Sequence, residues 1–356
     1  MSQHTPQWVE TIIKSLKEDD GRCVLFLGPE IPFHDTTSRY KTINALLEGK
    51  SYGSLVKVYE DDELLAYKRR LIPYQEMDFH QDMKNKYSEL ATNDIHKMVR
   101  EIPFHTIISM TPDMNIVTAF KEKNYSYDFQ FYNHRQERTL EIDKPTKSVP
   151  IIYNLMGSFN EEDSLVLDYG DFLDFILSIS NQSKLPKNLI ESLQNARNFI
   201  FLGFRLEKWY FKLLVRILGI HKIETYSEMP EIDNKMISVF TESFKFRFIE
   251  LNAHEFLQNI YDECQRTDFV RHKINHKSKN EVYFNLLEKV NYEGCFHFLL
   301  DFYKDDSDER RRLLMLKMGW TDATNKYSTK LITDQYYGLE MARITNALIQ
   351  YSEKIK

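Results

Sequence analysis

Cysteine is scarce in this chain: Cys23, Cys264 and Cys295 are three in number and far apart. They supply neither a disulfide framework nor a zinc ribbon, and this points to a reducing compartment. No apolar run approaches the length of about 20 residues that a membrane-crossing helix needs. The polar stretch from Met1 to Asp20 lacks the apolar centre of a signal peptide, so the expected location is the cytoplasm. An excess of positive charge is missing too. The formal net charge of -6 gives no general reason to expect nucleic-acid binding. No metal site is legible either, because His34 beside Asp35 has no second ligand pair at helical or hairpin spacing and reads as a solvated loop.

What is present describes a packed protein. Hydrophobic residues make up 42% and aromatics 13% of 356 residues, enough for one large α/β domain and a smaller second one. The organising stretch is Val24-Leu-Phe-Leu-Gly-Pro-Glu-Ile-Pro32. A short apolar run closed by Gly28 reads as a buried parallel strand feeding a tight turn, the position where α/β proteins usually meet a cofactor phosphate. Cradling a phosphate requires small residues with free backbone N–H groups. Pro29 and Pro32 remove two donors, and Glu30 brings a carboxylate of the wrong sign.

Around this stretch, apolar spacing predicts a helix from Pro6 to Lys17, stopped by Asp19-Asp20-Gly21. The polar span from His34 to Arg100 is long for one connection and reads as a helical insertion, with Leu64 to Tyr67 and Met83 to Leu90 as turns of helix. Strands are expected at Thr106–Ser109, Gln130–Tyr132, Pro150–Leu155, Asn198–Leu202, Lys235–Phe240 and Phe246–Leu251. Helices are expected after Asp113, after Asp171, over Trp209–Leu218 and over His254–Cys264, with Trp209 and Phe211 buried beneath the sheet. Alternating strands and helices indicate a doubly wound, Rossmann-like parallel sheet covered on both faces. A polar, basic stretch follows, placing a linker at 273–279 between a domain over 1–272 and a small all-helical domain over 280–356. Within the latter, Tyr337, Met341, Ile344, Leu348, Tyr351 and Ile355 recur at helical spacing behind a Thr333-Asp334 cap.

The order of these segments resembles the sirtuin-like domains of bacterial antiviral defence proteins, over residues 6 to 270. Val24–Pro32 matches the family's Gly-Ala-Gly-x-Ser loop, which holds the NAD pyrophosphate. Pro103–Asp113 is similar to its strand ending Thr-Thr-Asn-Tyr-Asp. Ile152–Ser158 matches the segment containing Leu-His-Gly-Ser, and the run from Leu202 to Leu214 resembles Leu-Gly-Tyr-Ser-Leu-x-Asp. The resemblance implies that NAD or an ADP-ribose derivative would be held by Gly28, Thr111, Asp113, Gly157, Ser158 and Gly203. It also implies a loss of chemistry. Thr111 stands where the family's Asn positions the ribose and the attacking water. Met156 stands where its His handles the ribose hydroxyl, and a thioether is no base near neutral pH. Losing general acid or base catalysis typically lowers a rate by about 10²–10⁴-fold.

Residues 280 to 355 resemble a second family, the bacterial effector-associated domain, through Glu340, Arg343-Ile344, Ala347-Leu348 and Ile349. This implies like-to-like recruitment of a protein carrying a matching domain, and a homo-oligomer. The leading expectation is a catalytically inactive sirtuin-like scaffold or nucleotide sensor in a prokaryotic antiphage system. The alternative is an NAD-cleaving effector with displaced catalytic residues. Plainer roles stand beside the sharper ones. His105 is a strand-edge residue before it is a displaced base, Asp168 and Asp171 are turn and cap residues before they are a catalytic pair, and Arg310-Arg311-Arg312 is a solvated helix face.

Overall fold

A computed structural model describes residues 5–18, 22–33, 39–59, 64–90, 92–136, 142–180, 185–229, 233–272, 287, 292–303 and 306–354. The chain divides into two compact units, Met1–Lys273 and Ile274–Lys356. The expected linker at 273–279 lies outside the described residues, as do His34, Asp35 and most of 280–291.

The first unit is built on nine strands among the described residues. They are β1 (Cys23–Leu27), β2 (Val56–Val58), β3 (Leu65–Tyr67), β4 (Thr106–Ser109), β5 (Asp128–Phe131), β6 (Ile151–Asn154), β7 (Asn198–Leu202), β8 (Glu224–Glu228) and β9 (Phe246–Ile249). Seven form one sheet in the order β5-β6-β4-β1-β7-β8-β9, every pair parallel. β1 lies at its centre, with Leu27 opposite Ser109 on one side and Leu202 on the other. Its five residues are all buried, as both-face coverage demands.

The helices are α1 (Gln7–Lys17), α2 (Arg39–Leu47), α3 (Pro73–Glu89), α4 (Asp94–Glu101), α5 (Asn115–Glu122), α6 (Tyr169–Ile179), α7 (Lys187–Gln194), α8 (Trp209–Ile217), α9 (Asn234–Phe244) and α10 (Ala253–Arg266). Side chains alternate along β1. Leu25 and Leu27 pack with α1, α4, α5 and α10, whereas Val24 and Phe26 pack with α6, α7 and α8. The helix that returns from β1 (α4) and the one that follows β7 (α8) therefore lie on opposite faces. That divergence makes the crevice between the ends of β1 and β7 a topological switch point, where doubly wound folds place their ligands.

The insertion is a small layer of its own. Phe33, Ile43, Tyr52, Phe79, Met83 and Tyr87 share a core with Leu65 and Val56. Leu65–Tyr67, expected as a turn of helix, is instead a strand paired antiparallel with Val56–Val58. A four-residue apolar run does not reveal its period, and a partner strand resolves it. The expected strand at Lys235–Phe240 is also corrected. Asp233 accepts the Met236 N–H at 2.7 Å and starts α9 there, while the neighbouring strand is β8, whose ends are glutamates. Trp209 is 41% exposed and not beneath the sheet, in contrast to Phe211 at 1%.

The second unit contains α11 (Tyr292–Phe302), α12 (Ser307–Ser328) and α13 (Asp334–Lys354). Asp306 caps α12 by accepting from the backbone of Asp308 and Glu309. Thr333 Oγ1 accepts the Tyr336 N–H at 3.3 Å at the start of α13. Cys295, Phe296, Leu299, Leu313, Ile344 and Leu348 form its core. Among the described residues no helix is long and apolar enough to cross a membrane.

Candidate functional site

The turns after β1 and β7 meet at the switch point. The Gly28 N–H donates to Leu202 O (2.7 Å), the Glu30 N–H to Gly203 O (3.1 Å), the Ile31 N–H to Gly28 O (3.2 Å) and the Phe33 N–H to Glu30 O (3.0 Å). Pro29 and Pro32 have no N–H to offer. Every backbone donor from Gly28 to Phe33 is thus engaged inside the protein, in the segment that a phosphate would need. Gly203 adopts φ +75°, and its own N–H donates to Glu228 Oε1 at 2.6 Å.

Behind these turns lies a cavity of about 50 Å³. Met110, Met156, Phe172, Phe204, Phe211 and Leu214 give it an apolar wall, with Arg39, Tyr87, Asp168, Arg205 and Tyr210 as its polar members. Met156 is 8% exposed. Arg205 is drawn to Glu207 (2.9 Å), and Arg39 Nε lies 3.5 Å from the Tyr87 hydroxyl. Asp168 caps α6 by accepting the Asp171 N–H at 2.9 Å. Burial, reinforced by the nearby Asp171 charge, raises its pKa.

The other sequence-derived positions are close by but turned to structural work. Thr111 is buried, with its hydroxyl 2.8 Å from Ser109 Oγ. Asp113 accepts the Asn115 N–H at 2.8 Å. Burial pushes its carboxyl above the usual range, while hydrogen bonds from Thr111 and Asn115 pull it back. It borders a second cleft of about 340 Å³, which shares Tyr87 with the cavity, together with Lys84, Ser88, Thr92 and Glu122. Gly157 has φ +82°, and an added Cβ there would lie 2.2 Å from Ser164 O. The Ser158 N–H donates to Ser164 Oγ at 2.9 Å, and Ser158 is fully buried. Gly157 and Ser158 therefore hold the loop over 157–164 and do not face the cavity. His105 is buried just ahead of β4, at the opposite end of the sheet from the cavity.

Glu228, Arg39 and Tyr87 were not singled out from the sequence. The available signal for Glu228 was its place at the end of a strand beside a glycine-closed one, but the strand itself went unread. Among the described residues no three His, Cys, Asp or Glu side chains converge as a metal-holding group.

The class defined by this geometry is a doubly wound, Rossmann-like α/β domain. Residues 106–226, from β4 into β8, match the model of a SIR2-like domain. That span contains Thr111, Met156 and Gly203 but not the Gly28 turn. Similar solved structures include one from work on the mechanism and regulation of Sir2 enzymes, with 12% identity and a TM-score of 0.37, covering 74% of this chain and 99% of that one. A Sir2 homolog–NAD complex has 11% identity and a TM-score of 0.40, covering 74% of this chain and 97% of that one. No curated protein matches the sequence.

NAD, the cofactor implied by a SIR2-like domain, does not fit the residues present. The turn after β1 has no donor left for a pyrophosphate. The cavity of about 50 Å³ is far below the roughly 300–1,000 Å³ of ordinary small-molecule sites.

Proposed function

We propose that this chain is a SIR2-like protein without NAD turnover, acting as a scaffold in a prokaryotic antiphage system and recruiting a protein partner through its helical unit. One observation carries the reading: each backbone N–H from Gly28 to Phe33 is already engaged by Leu202, Gly203, Gly28 or Glu30. Met156 supports it, since a thioether on the cavity wall offers neither a base nor a strong acceptor. The partner is a protein carrying a matching helical domain, and self-association uses the same kind of contact. Leu314, Met315, Met318, Leu331 and Leu339 are exposed on the helical unit, a supply of apolar contact area that a partner can cover.

The rival reading, NAD cleavage by displaced residues, needs a base on the cavity wall, where Asp168 is the carboxylate present. That carboxyl is engaged in capping α6. Co-purification of the full-length protein with proteins encoded beside it tests the proposal. A complex that forms with the wild type and is lost in Met318→Glu/Leu339→Glu supports it. A complex indifferent to those changes, or NAD consumption by the chain alone, opposes it.

A further inference from the structure

Glu228 is the last residue of β8, and its side chain reaches sideways across the sheet end. Its Oε1 accepts the Gly203 N–H at 2.6 Å. Gly203 is buried, so this carboxyl satisfies a backbone donor that water does not reach. The same residue's carbonyl accepts the Glu30 N–H on its other side. Gly203 also fits tightly: an added Cβ would meet Ile31 Cγ1 at 2.5 Å. A continuous chain of hydrogen bonds therefore runs from Glu228 at the end of β8 through Gly203 to the turn after β1. Only one of its members is a side chain.

We propose that Glu228 is an internal latch: by tying the Gly203 turn to the end of β8, it presses that turn onto Gly28–Ile31 and keeps the switch-point crevice shut. Its role rests on the reading of the site as a closed, silent crevice. Glu228 is a positioning residue, acting on the site only through Gly203. Removing its carboxyl leaves the Gly203 N–H without its acceptor, and the turn gains by swinging out to water. The Glu30–Gly203 bond then loses its backing, and the two turns separate locally without unfolding the sheet.

Hydrogen exchange on the full chain tests this. In Glu228→Ala, peptides covering 28–33 and 202–206 should exchange about tenfold or more faster than in the wild type, with β4, β6 and α1 unchanged. Glu228→Gln retains an oxygen acceptor for Gly203 and should stay within about twofold of the wild type. If Glu228→Ala does not fold, Glu228→Asp, one methylene shorter and so poorly placed to reach the Gly203 N–H, should show the same local pattern at a smaller ratio. Unchanged exchange in those peptides, or acceleration spread evenly over the first unit, would overturn the latch. NAD consumption by the wild type would remove the silent reading while leaving the exchange pattern to stand or fall separately.

Discussion

The carbonyl oxygen of Gly203 stands 2.0 Å from where a β-carbon on Gly28 would be. Two backbones pressed this closely leave no room for any side chain at position 28, and the near atom is a main-chain carbonyl that cannot rotate away. Gly28→Ala is expected to destabilise the first unit by about 2–4 kcal/mol, through overpacking at a site without slack. Gly219 is the control. It has φ +75°, a left-handed backbone that Gly28 does not adopt, and nothing within 4 Å of an added Cβ, so Gly219→Ala should lose only about 1 kcal/mol, from the backbone alone. Urea denaturation of the two variants separates steric closure from backbone strain.

Arg271 closes the first unit at its chain exit. Its guanidinium donates to Arg100 O (2.8 Å), Ile102 O (2.9 Å), Phe104 O (2.8 Å) and Lys147 O, and stacks over Phe120 at 5.0 Å. Burial lowers its pKa to about 9, which still leaves it protonated at neutral pH. Arg271→Met should destabilise by about 3–5 kcal/mol, because several buried carbonyls lose their donor together. Arg271→Lys should recover little of this, since an ammonium cannot reproduce the planar fork. Thermal unfolding of the pair decides the matter.

His96 predicts a pH dependence. Its Nδ1 accepts the Asn93 backbone N–H at 3.2 Å while the His96 backbone N–H donates to Asn93 Oδ1 at 3.1 Å, a reciprocal cap on α4. Burial lowers its pKa from 6.5 to about 4. The unfolded chain thus takes up this proton at a higher pH than the folded chain does. The stability is fully present above about pH 6.5 and is lost as pH falls towards 4, by roughly 3 kcal/mol at most. His96→Gln keeps an acceptor for the cap without titrating. It should remove this part of the acid slope in denaturant titrations at pH 7 and pH 5; an unchanged slope would assign it to other groups.

Met156→His tests whether the chemistry can be restored by one residue. The imidazole would sit on the wall of the same small cavity, beside a turn with no free donor. NAD consumption should stay at the level of the wild type. Stability should fall by about 1–3 kcal/mol, as a buried polar ring without an assigned partner replaces a thioether.

The parts of this fold that the sequence announced are those whose signal is local. Val24–Leu27 and Asn198–Leu202 are apolar runs that end at glycine, and they are the adjacent central strands β1 and β7. Asp168 was legible as a cap because its side chain bonds three residues ahead. Glu224–Glu228 hid its strand behind terminal glutamates, while the apolar residues of 235–240 imitated one. In the site, Gly28, Met156 and Gly203 were legible as positions of the motif segments that the resemblance singles out. Its closure was not, because that lies in bonds between turns far apart in sequence, Glu30 to Gly203 and Gly203 to Glu228. Neither pattern nor propensity encodes such a pairing.

The most direct test of the central claim is NAD consumption by the purified full-length protein, followed over hours, with binding measured calorimetrically on the same sample. The account predicts no release of nicotinamide above the buffer rate and no heat of binding, because the segment from Gly28 to Phe33 has no backbone donor to give. Steady nicotinamide release by the purified chain would contradict it, and its loss in Asp168→Asn would make Asp168 the displaced base of an active enzyme.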